Sequence, residues 1–210
     1  MRKHLSKVLL SGGVAALALG IGATTAMAAT ATTWTVTPGG AVTGSAGKTT
    51  LKDTNTSQVL TCASSATQAT LKKGSGLSGT ALGSITSATF TTCKGPGGLA
   101  FTVTTSASTT TPWKLNASSF SGGVTHGTIT GIKASLSGSG CSATVGGTTA
   151  TSTGKVTGTY TNSTGILKVS GGNLHVWNVS AGCLGLINTG DASTFTGSYT
   201  ISPGQTITSP

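Results

Sequence analysis

Thr194-Phe195-Thr196-Gly197-Ser198-Tyr199-Thr200-Ile201 sets Phe195, Gly197, Tyr199 and Ile201 on one side and hydroxylated residues on the other. Such alternation is the period of a half-buried strand, because successive β side chains point to opposite faces. Shorter runs of the same kind occupy residues 34–36, 99–103, 155–160, 166–169 and 174–179, with Gly, Asn, Ser or Pro clusters between them. Residues 155–170 predict a hairpin, and its loop Thr161-Asn162-Ser163-Thr164-Gly165 ends on a glycine suited to a left-handed backbone. No segment after residue 28 sustains a helical period, and the stiff Thr and Val side chains and many glycines weaken any helix. The expected fold is all-β, an antiparallel sandwich or small barrel of many short strands. Residues 106–111 and 146–154 read as low-complexity loops, and 203–210 as a fraying end.

Residues 1–28 have the build of a signal peptide. Arg2, Lys3 and Lys7 form a basic start, Val8 to Ile21 is largely apolar, and Ala26-Met27-Ala28 fits the small-x-small cleavage rule. Four glycines, Gly12, Gly13, Gly20 and Gly22, interrupt the apolar stretch, which is short for a span of about 20 residues. Cleavage is expected after Ala28, leaving residues 29–210 as a single secreted β-rich domain without a transmembrane segment. The expected location is extracellular or at the cell surface.

Cys62, Cys93, Cys141 and Cys183 follow this leader with no C-x-x-C pair and no neighbouring histidine pair. Zinc-ribbon and dithiol chemistry both need closer spacing. An even cysteine count in an exported chain predicts two disulfides, for which three connectivities exist. Residues 59–62 and 90–93 both read as strand ends, so Cys62–Cys93 is the expected first pair and Cys141–Cys183 the second. In the chain-entropy model each would stabilise by roughly 3–4 kcal/mol.

Ionisable chemistry is scarce. After residue 28 the chain carries nine lysines, no arginine and no glutamate, with Asp53 and Asp191 as its only acids. The lysines are dispersed, and without arginine there is no bidentate grip on bases or phosphates, so nucleic acid is not an expected partner. A diffuse basic surface suits weak attraction to an anionic cell-wall polymer. A Ser-His-Asp site would have to be assembled from His126 or His175 with one of two aspartates, and no G-x-S-x-G elbow is present. General acid–base catalysis has too few groups here, so no enzyme, catalytic residue, metal or cofactor is expected.

Binding has better candidates. Sugar rings stack on exposed aromatic faces, and apolar ligands fill aromatic pockets. Trp113 and Leu115, in Pro112-Trp113-Lys114-Leu115, alternate with Lys114 and are expected to point inward together; His175 and Trp177 share a face in Leu174-His175-Val176-Trp177. The expected function is that of a secreted or envelope-associated, non-enzymatic β-protein. Two alternatives stand beside it: a module that binds glycan or an apolar ligand through exposed tryptophan, and an envelope pore.

The order Leu60-Thr61-Cys62, Gly83 to Phe90 with Cys93, Thr111-Pro112-Trp113-Lys114-Leu115, Gly131-Ile132-Lys133-Ala134, Cys141 and Cys183 resembles PraB-like alkane-oxidation activators. It is also similar to small secreted actinobacterial proteins of unknown function. The resemblance covers roughly residues 34–201 and implies a secreted β-protein tied to surface or hydrophobic-substrate biology. It carries over no catalytic residue.

Overall fold

Strand follows strand through residues 32–138 and 140–210, which the computed structural model describes. The leader assigned to residues 1–28 lies outside the described residues. The first strands are β1 (Thr33–Thr37), β2 (Gly40–Ala46), β3 (Thr49–Asp53), β4 (Val59–Leu71) and β5 (Gly74–Ser78). Next come β6 (Gly83–Lys94), β7 (Ala100–Thr105), β8 (Trp113–Ser121), β9 (Val124–Ile132) and β10 (Ala134–Gly138). The last are β11 (Cys141–Gly146), β12 (Gly154–Thr161), β13 (Ile166–Trp177), β14 (Ala192–Ser202) and β15 (Thr206–Thr208). Single 3₁₀ turns at Pro96–Gly98 and Ala181–Cys183 are the only helical elements among the described residues.

The sheet closes on itself, which decides between sandwich and barrel. Four long strands, β4, β6, β13 and β14, run the length of the wall, and shorter strands complete it at each end. At one end β8, β9 and β12 bridge β6 to β13, and β2 bridges β14 to β4. At the other end β7, β10 and β11 make the first bridge and β3 the second. The contact between β4 and β6, antiparallel over their whole length, shuts both rings. Closure pairs each wall strand on both sides over at least part of its length, which limits the free edge a sheet offers to another chain.

A second sheet, β15-β1-β5, lies at the end of the barrel where Leu71 pairs with Gly83. Its Trp34, Val36 and Ile207 are buried in the same core as Leu71, Leu82 and Tyr160 of the barrel. The segment 203–210 therefore does not fray. Ile207 pairs with Val36, and Gln205 is buried and bonded to the barrel. A pairing that joins the two ends of the described chain carries no local sequence signal.

The hairpin expected over 155–170 is formed by β12 and β13, with Thr161 paired to Ile166. The runs at 166–169 and 174–179, read as separate, belong to one bulged strand, β13, whose register shifts between Gly171 and Leu174. Gly172 has a φ of 124°, and a Cβ there would collide with the backbone carbonyl of Lys155. The glycines that look like punctuation thus bend a continuous strand against its neighbour.

Candidate functional site

Alternation along each strand sends one set of side chains into the barrel. On β14 these are Ser193, Phe195, Tyr199 and Ile201; on β4 Cys62 and, after a break in the alternation, Ser65, Ala69 and Leu71; on β12 Val156 and Tyr160. The opposite faces are hydroxylated or basic, with Thr196, Ser198 and Thr200 on β14 and Lys155 and Thr157 on β12 exposed. An outer-membrane-type barrel needs an apolar band outside and a polar lumen, and this barrel has the reverse arrangement.

The interior side chains do not fill the space they enclose. A middle cavity of about 100 Å³ lies among Ile85, Trp113, Ile129, Leu136, Val145 and Leu174. A second, also about 100 Å³, lies toward the β15-β1-β5 sheet and shares Thr67, Ile85, Ile129 and Leu167 with the first. The third, about 110 Å³, lies at the opposite end and shares Leu51, Leu60 and Leu136 with the middle one. Three adjoining apolar voids thus follow the barrel lengthwise. An engineered apolar cavity of roughly 150 Å³ in another protein stays dry and takes benzene.

The third cavity is the one lined by exposed side chains, and its end of the barrel is termed the mouth. Its rim includes Val59, Leu99 and Leu184, the large apolar side chains that stand exposed among the described residues; Leu184 is 84% exposed and Leu99 44%. Both leucines follow a cysteine. Cys93 bonds Cys62, directly opposite it on β4, and Cys183 bonds Cys141 at the start of β11. Both bridges have the expected pairing, and both lie at this end of the barrel, where they hold the two loops that carry Leu99 and Leu184.

A short polar seam crosses the otherwise apolar lumen. Tyr199 and Ser65 share a buried hydrogen bond of 2.9 Å between their hydroxyls. Burial holds the Tyr199 phenol above its ordinary pKa, and the bond to Ser65 works in the other direction. Nearer the mouth, Asp53 faces inward and its Oδ1 accepts from the N–H groups of Asn55 and Thr56, at 2.8 and 2.9 Å.

The aromatic candidates fall on different faces. Trp113 lines the middle cavity and is buried, its Nε1 donating to Ser106 Oγ at 3.3 Å. An exposed tryptophan platform is therefore not what Trp113 provides; it is a wall of the lumen. His175 and Trp177 do share a face, but it is the outer one, alternating with the buried Leu174 and Val176. Trp177 is half-buried and donates to Gly147 O at 2.9 Å, while His175 Nδ1 lies 3.3 Å from Asn173 O. The structure does not bring this pair together with Trp113.

Each acid takes part in a turn, Asp53 through Oδ1 alone. Asp191 Oδ2 accepts from Asn188 N and Nδ2, at 2.7 and 3.2 Å, so its carboxylate is directed to that loop although His175 pairs with the adjacent Ala192. Exposed His126 lies on the outside of β9. No group of three or more metal-ligating side chains occurs among the described residues. No described helix is long and apolar enough to cross a membrane.

The mouth leaves little trace in the sequence. Its only signal was a large apolar residue close behind a cysteine, at Leu99 after Cys93 and Leu184 after Cys183, in a chain with few such residues. What fold and site define together is a closed antiparallel β-barrel, clipped by two disulfides at one end and hollow with apolar walls. No family model, curated protein or solved structure matches the chain.

Proposed function

We propose that the chain is an exported, non-enzymatic barrel that holds an apolar ligand in its lumen. The observation that carries this reading is the file of three apolar cavities leading inward from a mouth rimmed by Leu99 and Leu184. Exposing such leucines to water is unfavourable by about 25 cal/mol per Å², so contact with an apolar molecule at the rim is favoured. Inside, the walls offer dispersion contacts and few polar groups, the character of a pocket for a hydrocarbon chain. The wall's lysines and hydroxyls favour solubility and weak attachment to an anionic envelope polymer. The leader over 1–28, the two disulfides and the resemblance to hydrophobic-substrate proteins support an exported role. Glycan stacking has less support, because Trp34 and Trp113 are buried and Trp177 is half-buried with its Nε1 engaged.

Trp113 supplies the readout because it lines the middle cavity. Titration of the oxidised protein with decane should give a saturable shift in tryptophan emission. Ala88→Phe, which fills that cavity, should weaken binding about tenfold or more while the far-ultraviolet dichroism of the barrel persists. Emission unchanged by decane and by shorter alkanes would refute the lumen as a binding site.

A further inference from the structure

The lumen's polar seam contains three buried side-chain oxygens with no hydrogen-bond partner among the described residues: Thr49 Oγ1, Asp53 Oδ2 and Ser193 Oγ. All three belong to two adjacent strands. Thr49 and Asp53 lie on the inner face of β3, and Ser193 on the inner face of β14. Asp53 and Ser193 are directly opposite each other in the antiparallel register, so their side chains lie on the same face. Each is only 3% exposed, and both line the mouth cavity.

Turn formation accounts for half of the Asp53 carboxylate. Oδ1 takes both N–H donors of the following turn, and Oδ2 takes none. A buried carboxylate oxygen without a donor is costly, and a serine hydroxyl beside it raises the number of unmet groups in one place. Lys52, the nearest cation in sequence, alternates to the outer face and is exposed. The walls around the two oxygens are apolar, with Leu51, Leu60 and Leu136 leading on to the middle cavity.

We infer that the mouth cavity receives the ammonium head of a primary alkyl amine. Asp53 Oδ2 and Ser193 Oγ accept its N–H donors, and its chain runs past Leu51, Leu60 and Leu136 into the lumen. This deepens the apolar-ligand reading and rests on it. An ammonium brings three donors and a positive charge to a lone carboxylate. An alkanol brings one donor and no charge, and a fatty carboxylate would meet like charge.

The test is calorimetric titration of the oxidised protein at pH 7 with decylamine, decanol and decanoate. Decylamine should bind about tenfold tighter than decanol, the difference a charge-assisted hydrogen bond makes, and decanoate most weakly. Asp53→Asn keeps an Oδ1 for the turn but removes the charge and the acceptor at Oδ2. It should abolish the advantage of decylamine over decanol. Ser193→Ala, which leaves the turn untouched, should weaken decylamine several-fold. Equal affinities for decylamine and decanol in the native protein, or a preference that survives both substitutions, would overturn the head-group site and leave the lumen reading standing. Failure of all three ligands, together with decane, would remove the lumen reading itself.

Discussion

The two ends of this barrel solve opposite problems with different chemistry. At the closed end, polar atoms are paired. Tyr160 donates its hydroxyl to Gln205 O and accepts from Gln205 N, both at 2.9 Å; Asn162 Nδ2 donates to Ile207 O, and Ile207 N–H donates to Asn162 Oδ1. Gly39 N–H donates to Gln205 Oε1, and Trp34, 2% exposed, fills the space beneath. At the mouth, both disulfides are present, leucines face water, and Asp53 Oδ2 and Ser193 Oγ go without partners. Hydrogen bonds and packing close one end without any covalent help. Covalent bridges hold the other, where some buried polar atoms lack noncovalent partners.

This contrast can be broken first at the closed end. Trp34→Ala removes the largest of the fully buried side chains, and a cavity of that kind costs about 3–5 kcal/mol. Urea denaturation should show the loss, and a change below about 1 kcal/mol would mean that the small sheet does not seal the barrel. Replacing Cys141 and Cys183 together by serine should cost about 4 kcal/mol at most, the chain-entropy figure for a loop of this length. Amide exchange should then accelerate in β10 and β11 and stay slow at Gln205 and Ile207. Equal acceleration at both ends would make the bridges a global staple and dissolve the distinction between the ends.

The smallest effect belongs to Tyr199, in the middle. Because burial raises its folded pKa above the ordinary 10.0, the folded state holds the phenol proton more tightly than the unfolded chain does. Its contribution is complete below that ordinary value and is lost as pH rises through the raised one. Stability should therefore fall above pH 10 more steeply in the native protein than in Tyr199→Phe, as read from urea midpoints. Parallel curves would place the phenol in contact with solvent.

Much of the fold was legible because alternation is local. The β14 pattern, the β12–β13 hairpin and the strand ends carrying Cys62 and Cys93 all follow from neighbours in sequence. Closure was not legible, since it depends on β4 meeting β6 while β13 and β14 each serve both rings. Nor was the docking of β15 on β1. Alternation also says which residues share a face, but not whether that face encloses a filled core or a hollow one. Alternation with Lys114 turns Trp113 and Leu115 inward together, but only closure shows that the inward face at Trp113 lines a cavity. Asp53 stood out as a rare acid, but Ser193 was one serine among many, and only the β3–β14 register puts them opposite each other.

The lumen as a binding site is tested most directly by diffraction from crystals of the oxidised protein soaked with 1-bromodecane. The bromine should give an anomalous peak inside the barrel, between the mouth residues Leu51 and Leu60 and the deeper Ile85 and Ile129. Peaks confined to the outer wall, with the lumen free of anomalous signal, would contradict it.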